Sequence, residues 1–217
     1  MLTYENMYWK SADQTLVLGL NADTRLLVVG PLYHVGALDL PGIAVLWHGG
    51  MLSIHRNFEP EQALAAIEAE KLNAAWFAPV MTTAILTCPT RDRYDVSSLQ
   101  WAIGGGEKTP EVRIRAFSDY FKNARYIDAY GLTETCGGDT FMEAGREIEK
   151  IGSTGRAIAH VEIEIRDDAG NRPAARRERR NLPARTEDHA GLLEGSEKDR
   201  GRLLRRLVPH RRRRLSR

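Results

Sequence analysis

Two short runs carry residue types that can do chemistry. Asp128-Ala129-Tyr130-Gly131-Leu132-Thr133-Glu134-Thr135 sets a hydroxyl, Thr133, beside a carboxylate, Glu134, just after an aromatic residue and a glycine. On a loop, that pairing can hold a phosphate oxygen and a divalent metal together. About two dozen residues earlier, Gly104-Gly105-Gly106-Glu107-Lys108 offers bare backbone that a flat or anionic ligand can approach closely. Each run alone also has a plain explanation, a turn for the glycines and a helix cap for Thr-Glu.

The elements that must position these runs are strands. Trp101-Ala102-Ile103 reads as a buried strand breaking into the glycine loop, and Ala124 to Ile127 as the strand before the second run. An α/β sheet presents ligands at the carboxyl ends of its strands, which is where both runs fall. Thr109 and Pro110 are expected as N-cap and first residue of the next helix. Upstream, Thr3 with Asn6 to Leu16 reads as a capped amphipathic helix, and Thr24 to Gly30 as an apolar strand buried on both faces. An apolar helix from Ala37 to about Leu46 is interrupted near Pro41-Gly42. A strand at Met51 to His55, a helix at Pro60 to Leu72 with Leu64, Ile67 and Leu72 inward, and a strand at Asn73 to Ala78 follow. Another helix then opens at Pro79. Val161 to Ile165 alternates as a half-exposed strand should, before a turn at Asp167 to Asn171. The strand-helix rhythm predicts an α/β fold with a doubly wound, largely parallel sheet and flanking helices.

In order and spacing the two runs resemble the AMP-binding domain of the adenylate-forming superfamily, which includes acyl- and aryl-CoA synthetases, luciferases and peptide-synthetase adenylation domains. The matching residues are Gly104, Gly105, Gly106 and Glu107, then Tyr130, Gly131, Thr133 and Glu134. The second match is the specific one. Further likenesses support it: Leu2-Thr3 with Asn6, the Pro31-Leu32-Tyr33-His34-Val35-Gly36 turn, Gly152-Ser153-Thr154-Gly155-Arg156, and the Val161-Glu162-Ile163 segment. The resemblance runs from Met1 to Asn171.

The resemblance implies ATP/AMP, Mg2+ and CoA, with Thr133 on the AMP phosphate and Glu134 holding magnesium. Tyr130, flanked by Asp128, Ala129 and Gly131, would pack beside the adenylate. Gly104 to Glu107 would line the adenine and acyl slots. His34, with Val35 and Gly36, would border the acyl pocket and gate between half-reactions, with no proton transfer assigned. An acid-CoA ligase is favoured on the Pro-Leu-Tyr-His and Gly-Gly-Glu-Lys wording, acting on a long-chain fatty or aryl carboxylic acid. Adenylation domains of other adenylate-forming enzymes share the loops. His48 and His55 read as surface or edge residues, and Cys88 as an inert thiol.

Composition separates body from tail. Residues 173–217 hold 15 Arg or Lys against 6 Asp or Glu, whereas residues 1–172 hold 16 against 23. The body, 1–172, is expected to be a partial AMP-binding domain. The tail has 8 Leu or Val and lacks Phe, Trp and Tyr, so it is expected to be disordered. Moving its reading frame by one base lets Leu207 to Arg217 encode a string containing Arg-Thr-Gly-Asp, the family's ribose-binding motif. A one-base frameshift near Asn171 to Ala174 is therefore expected. The family's phosphate-wrapping loop, which precedes the Leu-Thr segment, and its lid domain have no counterpart here, so the chain is expected to be truncated, poorly stable alone and without ligase activity. The other class left open is a non-catalytic nucleotide- or RNA-binding remnant using the basic tail, although no specific nucleic acid is expected. Two cysteines without metal-type spacing point to a reducing cytoplasm, and no apolar run reaches membrane-spanning length.

Overall fold

In the computed structural model, residues 2–107 and 109–164 are described. The compact unit ends at His160. It contains strands β1 (Arg25–Val28), β2 (Met51–Ile54), β3 (Ala74–Trp76), β4 (Trp101–Gly105), β5 (Arg125–Tyr130), β6 (Thr140–Phe141) and β7 (Arg156–Ala157). Helices α1 (Tyr4–Leu18), α2 (Gly42–Trp47), α3 (Pro60–Glu70), α4 (Pro79–Leu86) and α5 (Glu111–Tyr120) connect them. The sheet order is β2-β1-β3-β4-β5-β6-β7. The first five strands are parallel, and β6 and β7 are antiparallel. Strand order reverses at β1 and β3, the topological switch at which open parallel sheets leave a ligand crevice.

The apolar spacing fixes the layers. Leu64 and Ile67 of α3 and Leu72 just beyond it are fully buried, as their positions predict. They join Leu27, Ala75, Phe77, Ala102, Ile114, Phe117 and Tyr126 in one core. α2 packs against β1 and β2, and α1 against α2. Pro60 and Pro79 open α3 and α4 at positions whose N–H has no helical acceptor.

Helix α1 has the expected capping box: Asn6 N–H donates to Thr3 Oγ1 (3.2 Å) and Thr3 N–H donates to Asn6 Oδ1 (2.9 Å). Its amphipathicity, however, is the reverse of the expected kind. Lys10, Ser11, Asp13 and Gln14 are buried, while Tyr4, Tyr8, Trp9 and Leu16 are exposed. Lys10 pairs with Asp139 (2.6 Å), Asp13 with His160 (2.6 Å), and Gln14 donates to the Asp39 carbonyl (3.0 Å), while its own Oε1 is buried without a partner.

Other expectations shift. The apolar segment from Ala37 is turn until Gly42, where α2 begins just past Pro41. β5 runs on to Tyr130, so Asp128, Ala129 and Tyr130 are strand and only Gly131 onward is loop. β4 likewise includes Gly104 and Gly105. Thr109 does not cap α5. Pro110 is the N-cap, with no side-chain cap bond, and the buried Thr109 hydroxyl is 3.1 Å from Tyr126 Oη instead. His48 is not merely an edge residue, since its Nε2 is 2.8 Å from Thr15 Oγ1. Residues 161–164, beyond the compact unit, form no strand; alternation names a face, but a strand also needs a ladder neighbour. The turn at 167–171 and the tail 173–217 lie outside the described residues.

Candidate adenylate site

The carboxyl edge of the sheet carries a cleft of about 380 Å3. Its walls come from the ends of four parallel strands: the His34-Val35-Gly36 turn after β1, Trp76 and Ala78–Val80 at β3, Ile103–Glu107 at β4, and Ala129–Gly131 at β5. Leu40, Gly137 and Gly138 complete it. The sequence thus identified three of the four contributing regions.

Close packing explains the glycines. A Cβ at Gly104 would stand 1.7 Å from Tyr126 Oη, so the strand can pass over this buried tyrosine only without a side chain. At Gly131 a Cβ would stand 2.3 Å from the Gly138 nitrogen, which lets the Leu132–Gly138 loop fold back against the end of β5. Bare backbone is left facing the cleft at both places. His34 is exposed at the rim. Its Nδ1 accepts from Gly36 N–H (3.0 Å), which places the proton of a neutral ring on Nε2, and its ring centre is 6.2 Å from that of Trp76. Glu107 is 3.9 Å from Arg113.

Asp128 is the predicted site residue that does not reach the cleft. It is 5% exposed and outside the lining. Burial raises its carboxyl from the usual 3.8 to about 7, against a smaller opposing effect from a backbone hydrogen bond at Ala129. Burial also raises the neighbouring Tyr126 hydroxyl to about 12, with the Asp128 charge contributing. Asp128 therefore belongs to the support of β5.

Thr133 and Glu134 stand apart as well. They occupy a short 3-10 turn, Thr133–Thr135, whose first two residues are exposed and outside the cleft lining. The turn is held from behind. Thr135 Oγ1 accepts from Leu132 N–H (3.1 Å) and lies 2.5 Å from Asp139 Oδ2, while Asp139 Oδ1 receives the Lys10 ammonium. Asp139 N–H also donates to the Tyr130 carbonyl (2.7 Å). Lys10 and Asp139 are 129 residues apart, and nothing in the sequence pattern links them. Trp76 and Ala78–Val80 were missed too. Their signal was topological: they end a strand at the switch of a parallel sheet.

A mostly parallel open sheet with a glycine-lined crevice at its switch point, next to a turn bearing a hydroxyl and a carboxylate, defines an α/β protein with a ligand crevice at the carboxyl edge of its strands. The chain belongs to the AMP-binding enzyme family, whose model matches residues 1–179, eight residues past the end of the motif resemblance. It is 29% identical over 170 residues to a feruloyl-CoA synthase from Amycolatopsis, covering 78% of this chain and 34% of that protein. A long-chain-fatty-acid–CoA ligase, FadD13, from Mycobacterium tuberculosis is 25% identical, with 77% of this chain and 33% of the relative covered. The crystal structure of the N-terminal domain of FACL13 from the same organism superposes with a TM-score of 0.73 at 26% identity, covering 79% of this chain and 43% of that one. The chain spans about a third of the length of these curated relatives.

Proposed function

We propose that this chain carries the adenine and acyl slots of an ATP-dependent acid-CoA ligase. In that reaction a carboxylate oxygen attacks the α-phosphorus of ATP and pyrophosphate leaves. The CoA thiol then attacks the acyl carbon of the adenylate and AMP leaves. The observation that carries the reading is the convergence of His34–Gly36, Gly104–Glu107 and Ala129–Gly131, the family-matching segments, on one cleft. The named activities of the relatives, feruloyl, indoleacetate and long-chain fatty acid ligation, bracket the acid as aryl or fatty.

Roles follow from placement. Gly104 to Gly106 offer the backbone against which a flat base can lie, and Tyr130 flanks it. His34 stands exposed at the rim beside Val35, where it can shield the acid from water. Among the described residues no group of three or more His, Cys, Asp or Glu is arranged for a metal. A magnesium ion fits only as one carried on the substrate phosphates, a mode that needs one or two protein carboxylates. Glu134 would hold it, with the Thr133 hydroxyl toward the phosphate. The ion would neutralise charge gathering on the α-phosphate.

Because Thr133 and Glu134 are exposed, water screens whatever they hold, and fixed donors in a dry site provide most of the stabilisation in such transfers. The reading for these 217 residues alone is nucleotide binding with pyrophosphate exchange below detection. Two free thiols, Cys88 and Cys136, suit a reducing cytoplasm, and no helix among the described residues is long and apolar enough to cross a membrane.

Calorimetric titration with AMP, and with ATP in the presence and absence of magnesium, tests the proposal. Binding of both nucleotides is expected, with the magnesium-dependent gain for ATP lost in Glu134→Gln. Failure of either nucleotide to bind would contradict the reading, and so would robust ATP–pyrophosphate exchange with the part that assigns binding alone.

A further inference from the structure

We infer that the acid accepted here is compact, an aryl or short acyl carboxylate, because Trp76 walls off the slot in which its tail would lie. This inference rests on the adenylate reading of the cleft.

Trp76 ends β3, in register with Val28 of β1 and Ile103 of β4. Its indole lies under the segment that leaves β1. A Cβ at Gly36 would stand 2.4 Å from Trp76 Cζ2, and one at Gly30 would stand 3.1 Å from Cζ3. The ring therefore fills the gap between the end of β1 and the His34 turn, with no room left for even a methyl group above it. Only 9% of the residue is exposed, and it is one of the cleft's lining side chains.

The consequence is a limit on length. Val35, Leu40 and Ile103 give the cleft its apolar lining, and Trp76, the register neighbour of Ile103, stands beside them; a long alkyl chain would need a channel past this indole. An aryl group suits the wall better than a flexible chain does. Stacked or edge-on contact with an indole is worth about 0.5–1.5 kcal/mol beyond burial, and a ring loses few rotatable bonds on binding.

The test uses non-hydrolysable sulfamoyl-adenosine analogues carrying no acyl group, benzoyl, octanoyl or palmitoyl, titrated calorimetrically into the full chain. Benzoyl is expected to bind at least about tenfold more tightly than palmitoyl, a difference within reach of pocket-shape discrimination. Trp76→Ala should open the wall and bring the two to within about threefold, whereas Trp76→Phe should keep the parent ranking. Palmitoyl binding as well as benzoyl on the parent chain would overturn the inference, and so would an unchanged ranking in a folded Trp76→Ala variant. If circular dichroism shows that Trp76→Ala does not fold, the parent ranking and Trp76→Phe decide. If the unacylated analogue and all others fail to bind, the adenylate reading is what falls, and the inference goes with it.

Discussion

The β5 end of the cleft floor and the Thr133–Glu134 turn lie within a few residues of each other in sequence, yet floor and turn are held by opposite means. Gly104, Gly105 and Ala129 are fixed by parallel strand pairing and by packing so tight that a single added carbon at Gly104 would strike Tyr126. The turn is exposed, and what fixes it is polar: Thr135 to Asp139, Asp139 to Lys10, and Lys10 on the polar face of α1. Floor geometry is thus a property of the sheet. Turn geometry depends on a helix at the other end of the chain and on one buried ion pair. On the proposed reading, the adenine side of the cleft can therefore be kept while the turn is altered independently.

The largest expected effect breaks the polar side of that comparison. Lys10→Met leaves the Asp139 carboxylate buried without its cation, which should destabilise the fold by about 3–5 kcal/mol in urea denaturation. Adding Asp139→Asn should recover part of that loss, because the unpaired charge is then removed. Asp128 tests the floor. Its carboxyl is held up to about 7 in the fold, against 3.8 ordinarily. Between those values the unfolded chain has lost a proton that the folded chain keeps, so stability falls as pH rises through this window and levels off above it. Asp128→Asn should flatten that dependence and be more stable than the parent at pH 8 by up to about 4 kcal/mol, read from denaturation curves across the pH range. Gly104→Ala should cost about 1–3 kcal/mol in the same assay and weaken AMP binding, since the floor must move to admit the methyl. Thr133→Ala is expected to be the smallest, within about 0.5 kcal/mol of the parent, because its side chain is exposed. A large loss there would mean that the turn is as structural as the floor.

The parallel α/β architecture was legible because short apolar strands alternate with amphipathic helices, and Leu64, Ile67 and Leu72 fell inward where their spacing put them. The glycine floor was legible only in combination, since a turn explains the glycines alone and the order and spacing of the two runs is what set them apart. What could not be read came from distance or ambiguity. Lys10 and Asp139 have no shared periodicity. The buried polar face of α1 reverses the rule that apolar positions point inward, so amphipathicity alone did not say which side of the helix faces the core. Asp128 was read as loop because the strand was ended at Ile127; β5 runs on to Tyr130 and buries its carboxyl. Trp76 was hidden by its ordinariness, as an apolar residue in a buried strand resembles core until topology puts it at the switch point.

The most direct measurement is photolabelling of the full chain with 8-azido-ATP, followed by peptide mapping. The account predicts adducts within residues 104–107 and 129–131, suppressed by excess AMP and retained in Glu134→Gln. Adducts mapping instead to residues 173–217, or labelling that AMP does not compete away, would contradict it.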